Sequence, residues 1–149
     1  MTLIVHELGL DATPTYQELK PSKNTNIEAL RPHIIRYANP SGSLQVRIAD
    51  TTGATIATSE AVSIASIGTG AYWHGHIKFD VDAYLRKDTT YRIYIEGVSG
   101  YSFSESSYIG VCKEYENKKY PAGYPASTDF DSALDIEVWE KTENSKGIR

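Results

Sequence analysis

An antiparallel β-sandwich is the fold class this sequence predicts. Between Leu44 and Glu140 about seven short segments alternate apolar and polar residues with a period of two. Clusters of Gly, Asp, Ser and Pro separate these segments, as turns require. Helical periodicity is nearly absent along the whole chain. Together these features predict an all-β, jelly-roll-like sandwich that carries an extended N-terminal arm.

The arm is expected over residues 1–30. Leu3-Ile4-Val5 suits a short edge strand, but Pro14, Pro21, Asn24 and Asn26 then interrupt regular structure. The same segment carries Leu3, Ile4, Val5, Leu8, Leu10, Tyr16, Leu19 and Ile27, which water does not favour exposing. It is therefore expected to pack along the sandwich or onto another subunit, and deletion of residues 1–20 to leave a folded body.

The sandwich domain is expected over residues 31–140, with His33-Ile34-Ile35-Arg36-Tyr37 as its first strand and Asn39-Pro40-Ser41-Gly42 as a turn. Leu44, Val46 and Ile48 then alternate with Gln45, Arg47 and Ala49, the pattern of a half-buried strand. Asp50-Thr51-Thr52-Gly53 supplies a hairpin turn, and Ala54 to Ser59 returns as the partner strand. After the flexible Gly68-Thr69-Gly70, a strand from Ala71 to Val81 puts Trp73, Gly75, Ile77, Phe79 and Val81 on one face. Tyr72, His74, His76, Lys78 and Asp80 lie on the other.

Asp82 to Lys87 reads as a turn or a single helical turn, and the strand from Thr89 to Gly97 directs Tyr91, Ile93 and Ile95 inward and Arg92, Tyr94 and Glu96 outward. Ser107 to Lys113 forms a further strand, and Ala133 to Trp139 the last, with Leu134, Ile136 and Val138 inward. That makes about eight strands, the number of a two-sheet jelly roll. Gly97 to Ser106 and Lys113 to Asp131 read as loops, the second longer than compact domains usually use. Residues 141–149 form a polar tail.

With 149 residues, 40% hydrophobic and 23% charged, the chain has the length and composition of one soluble globular domain. No apolar run approaches the ~20 residues that span a bilayer, and the N-terminus lacks the basic start and long apolar stretch of a signal peptide. Neither a membrane nor the secretory route is expected. The single cysteine, Cys112, excludes an internal disulfide framework and reads as a small buried hydrophobe. A net charge of −4 argues against nucleic acid as a partner, because phosphate-backbone binding needs concentrated Lys and Arg.

The sharpest local pattern is Gly68-Thr-Gly-Ala-Tyr-Trp-His74-Gly-His76-Ile-Lys-Phe-Asp80, which resembles the first metal-binding motif of the cupins. The resemblance implies a metal held by His74, His76 and Asp80. It departs from that family in three ways: Asp80 stands in place of Glu, no histidine follows His76, and the second motif is absent. His6 and His33 lie on the wrong side of the chain to serve as the later ligand. The favoured reading is two solvent-facing or interface histidines on a strand, with no metal.

Tyr101, Phe103, Tyr115, Tyr120 and Tyr124 fall in the loops, where exposed rings can stack on sugars, cover the open ends of the sandwich or fill a subunit interface. Asp80 with Asp82, Asp129 with Asp131, and Glu114 with Glu116 read as solvated turn chemistry. The motifs of serine hydrolases, P-loop and dinucleotide-binding proteins and zinc proteases are missing from the sequence. Neither an enzyme nor a cofactor is expected.

Arg31-Pro32-His33-Ile34-Ile35, Tyr72 to Phe79, Thr90-Tyr91-Arg92-Ile93-Tyr94-Ile95, Tyr108-Ile109-Gly110-Val111-Cys112 and Ser132 to Glu137 together resemble small jelly-roll proteins encoded by tailed bacteriophages. A single sandwich with a semi-apolar arm is similar to their capsid decoration, or cement, proteins. That resemblance implies a structural virion protein on the capsid surface, a homo-oligomer, expected as a trimer, bound to the major capsid protein. Leu3, Ile4, Val5, Leu8 and Leu10 would be its docking residues. The alternative is a carbohydrate- or receptor-binding sandwich that uses the loop aromatics.

Overall fold

A computed structural model describes residues 4–7, 16–68, 70–114, 133–134 and 136–141 of the chain. The period-two segments do form strands, and every pairing between them is antiparallel. In chain order they are β1 (Ile4–Glu7), β2 (Tyr16–Leu19), β3 (Thr25–Tyr37), β4 (Ser41–Ala49), β5 (Thr55–Thr58) and β6 (Val62–Ser63). After a 3-10 turn at Ile64–Ser66 come β7 (Tyr72–His76), β8 (Phe79–Leu85), β9 (Tyr91–Ser102), β10 (Tyr108–Glu114), β11 (Ala133–Leu134) and β12 (Ile136–Glu140).

One sheet runs β1-β10-β3-β12, with β7 and β8 also paired to β3 and β11 to β10; the other runs β2-β9-β4-β5, with β6 on β4. Because β7 and β8 pair with successive stretches of β3, they act as one broken strand. The principal strands then interleave as a long hairpin rolled over on itself. First pairs with last, second with second-last, and the two sheets alternate. This is the order of a jelly roll. β11 and β12 are additions to it.

Between the sheets lies one apolar cluster drawn from both, including Ile27, Leu30 and Ile34 of β3, Leu44, Val46 and Ile48 of β4, Phe79 and Leu85 of β8, and Ile93 and Ile95 of β9. Each such side chain contributes ~1.5–3 kcal/mol on full burial, so this seam holds the fold together. The alternation is clearest in β8, where Phe79, Val81, Ala83 and Leu85 are buried and Asp80, Asp82 and Tyr84 are exposed. Cys112 is buried, as a small hydrophobe would be.

The expected arm looks different in the structure. Ile4–Glu7 and Tyr16–Leu19 supply the first two strands of the jelly roll, and the expected boundary between residues 30 and 31 falls inside β3. Pro32 does not break β3, because it sits where the neighbours of that strand change. Residues up to Pro32 face β12 and β8, and residues from His33 onward face β7, with β10 joining from Ile34. A proline lacks the ladder donor, so it fits best at such a handover. Its carbonyl still accepts from the Ile77 amide at 3.1 Å.

Two further segments are corrected. Asp82 to Leu85 continues β8 rather than turning, and Gly97 to Ser102 continues β9 rather than looping. The second contains a bulge at Ser99 and Gly100, both in the left-handed region, which lets Tyr101 fold back over Gly97.

Candidate functional site

The outward face of β3 organises the most distinctive surface of the molecule. A register shift between Ile27 and Ala29 resets the phase of the strand, so that Arg31, His33, Ile35 and Tyr37 point away from the core. Antiparallel pairing then aligns side chains from both neighbouring strands with each of them. Tyr37 lies opposite Tyr108 of β10 and Tyr72 of β7; His33 lies opposite His76, and Arg31 opposite Glu137 of β12.

These rows join into a band of planar groups. The Tyr37 ring stacks on Tyr108 at 5.5 Å and meets Tyr72 edge-on at 6.4 Å. Tyr72 is 5.9 Å from the His74 ring. His33 Nε2 is 3.0 Å from His74 Nδ1, and the His33 ring stacks on His76 at 4.9 Å. A contact of that length between two imidazole nitrogens is a hydrogen bond in which one ring donates and the other accepts.

At the far end, Arg31 donates to Glu137 at 3.0 Å and covers the Trp139 ring at 4.9 Å, with Lys78 over the same ring at 5.0 Å. His76 Nε2 is 3.9 Å from the other Glu137 oxygen. Tyr37, Tyr72 and Trp139 remain 44%, 52% and 37% exposed.

The outer face of the second sheet is built from the same residue types and closes on itself. Arg47 lies over Tyr94 at 4.3 Å and Arg92 over Tyr16 at 4.9 Å, leaving Tyr94 only 9% exposed. Arg47 pairs with Glu96 at 2.9 Å, and Arg92 with Glu18 at 3.1 Å. Burial pushes the Glu96 carboxyl up, but hydrogen bonds from Arg47 and Gln45 and the Arg47 charge outweigh it and hold the group below its ordinary value. This face therefore caps its tyrosines with guanidinium groups, while the β3 face caps Trp139 and leaves Tyr37 and Tyr72 open.

The residues singled out in the sequence divide accordingly. His74 and His76 do share an outward face, but Asp80 lies opposite Ala29 on β8, 3.6 Å from Lys78. The break between β7 and β8 separates it from the imidazoles. Glu137 is the carboxylate nearest them among the described contacts. Among the described residues, no group of three or more His, Cys, Asp or Glu is arranged to hold a metal ion. His33, set aside in the sequence because it precedes the motif, sits between the other two rings.

Asp80 instead joins Asp82, Glu28 and Glu60 around a shallow depression of about 290 Å³, where the Lys141 ammonium pairs with Asp82 at 2.5 Å. Lys141 already supplies the positive charge there.

Tyr101 is a packing residue. Its ring covers Gly97, and its hydroxyl accepts from the Ile109 amide at 3.3 Å. Burial pushes that hydroxyl's pKa up despite the amide bond. Phe103 stacks on it at 5.3 Å and is exposed. Ile4 and Val5 lie in β1. Leu3, Leu8, Leu10, Tyr115, Tyr120 and Tyr124 lie outside the described residues.

Alternation alone placed Tyr72, His74 and His76 together, and the same reading of His33 to Tyr37 puts His33 and Tyr37 on one face. What joins these sets is cross-strand register, which no local pattern encodes. Compared with known proteins, the chain matches no family model and no curated sequence.

Proposed function

We propose that this chain is a structural protein of a phage virion, a decoration or cement protein that binds the head shell and stabilises it as a homotrimer. The observation that supports the reading is the jelly-roll order with its first strand, β1, at the end of a sheet among the described residues. This is the architecture that the resemblance to small phage virion proteins implies. A terminal strand offers a row of backbone donors and acceptors to which a partner strand can add. Ile4 and Val5 belong to that strand, so docking at the shell would run through the sheet edge and not through a free arm.

The test differs from a simple removal of residues 1–20, which would also take out β2 and its buried Leu19. Deleting residues 1–10 is expected to leave a body that melts cooperatively yet no longer co-sediments with phage heads lacking this protein. Changing Ile4 and Val5 to Lys in the full chain is expected to do the same, because charge on an edge strand opposes strand addition. Binding at the level of the unaltered chain in both variants would contradict the reading.

A further inference from the structure

We propose that the open band on the outer face of the β3 sheet is a binding site for a neutral saccharide, with Tyr37 and Tyr72 as its stacking platform. This goes beyond shell docking and is independent of it, since β1 pairs with β10 at Gly110 to Lys113 and the platform lies past that pairing.

Three observations carry the proposal. First, Tyr37 and Tyr72 stay about half exposed, although the matching tyrosines of the second sheet are covered by Arg47 and Arg92. Guanidinium groups therefore cap the tyrosines of the second sheet, while on the β3 face cations cover Trp139 and leave Tyr37 and Tyr72 open. Second, polar groups with both donor and acceptor capacity sit directly beside the rings. His33 and His74 bond to each other at 3.0 Å, and the tyrosines carry hydroxyls. A sugar presents an apolar C–H face bordered by hydroxyls, and this combination of open rings and polar groups answers both parts of it.

Third, the cations of the band are paired. Arg31 meets Glu137 at 3.0 Å, and Lys78, which lies over Trp139, meets Asp80 of the neighbouring depression at 3.6 Å. A face balanced in this way complements an uncharged ligand better than a phosphate, a sulfated glycan or a basic peptide. From His33 to Tyr37 the platform extends about 13 Å, the reach of a short oligosaccharide.

The proposal is tested with the full chain by calorimetric titration against neutral hexasaccharides of glucose, mannose, galactose, xylose and N-acetylglucosamine, with alginate and heparin hexasaccharides as charged comparisons. At least one neutral hexasaccharide is expected to bind. The double variant Tyr37→Ala/Tyr72→Ala should weaken that binding about tenfold or more, while Tyr37→Phe/Tyr72→Phe and Phe103→Ala should retain most of it. Both tyrosines are exposed, so an unchanged thermal melt should accompany the loss.

A blank panel, binding confined to the charged hexasaccharides, retained binding in the alanine double variant, or loss caused by Phe103→Ala would each overturn the proposal. So would an oligomer of the free chain that dissociates in the double variant, because the face would then be covered by a second copy.

Discussion

Replacing Arg36 with methionine is expected to lower the unfolding free energy by about 3 kcal/mol, the scale for orphaning buried polar groups. Arg36 occupies an inward position of β3, paired with Trp73 and Ile109, and is only 6% exposed. Its guanidinium donates to the carbonyls of Ile67 and Gly70 at 2.5 Å each and to that of Gly68 at 3.5 Å. It holds the connection between the 3-10 turn and β7 against the sheet from within.

Gly68 in that connection has a φ of +62° and lies against the Trp73 indole, where a side chain would not fit. Methionine keeps much of the volume but supplies no donors, which leaves the carbonyls unpaired and forces the connection to reopen. Urea unfolding measures the change. A loss under about 1 kcal/mol would show that the carbonyls find water at little cost.

Leu19→Ala is expected to cost a similar amount, about 3 kcal/mol, as large-to-small changes in a packed core do. Leu19 closes β2 against Tyr91 of β9 and is 1% exposed. If the N-terminal segment were a peripheral arm, the same change would fall within the small range of surface substitutions. Ile56→Ala on β5, where the side chain is 46% exposed, gives that reference in the same unfolding experiment. Equal melting temperatures for the two variants would remove β2 from the fold's stabilising body.

The fold was legible wherever alternation ran against a clear apolar set. Leu44, Val46 and Ile48 in β4, and Tyr91, Ile93 and Ile95 in β9, are buried as their period requires. The turn at Asp50 forms as its residues specify, with the Asp50 carboxylate accepting from the Thr52 amide at 2.8 Å and the Ala54 amide at 3.0 Å.

Legibility failed where a turn-forming residue serves in a sheet. Pro21 and Asn24 do interrupt regular structure between β2 and β3, but Asn26, read as a breaker with them, lies within β3 opposite Tyr84. Tyr84 is more than fifty residues away in the chain, which a local window does not see. Ala83 is a weak apolar marker between Asp82 and Tyr84, so the second half of β8 resembled a turn until its burial against the core became visible.

The candidate site was half legible for the same reason. Tyr72, His74 and His76 could be put on one face from their own strand, whereas Glu137 and Trp139 join them only through the pairing of β12 with β3.

Shell docking through the β1 edge is tested most directly by hydrogen exchange, read by mass spectrometry on the chain free in solution and bound to phage heads. Amides of Ile4 to Glu7 are expected to gain protection on binding, with those of Leu44 to Ile48, which lie in the sandwich interior, unchanged. Binding that leaves Ile4 to Glu7 exchanging as in the free chain, with new protection elsewhere, would contradict docking through that edge.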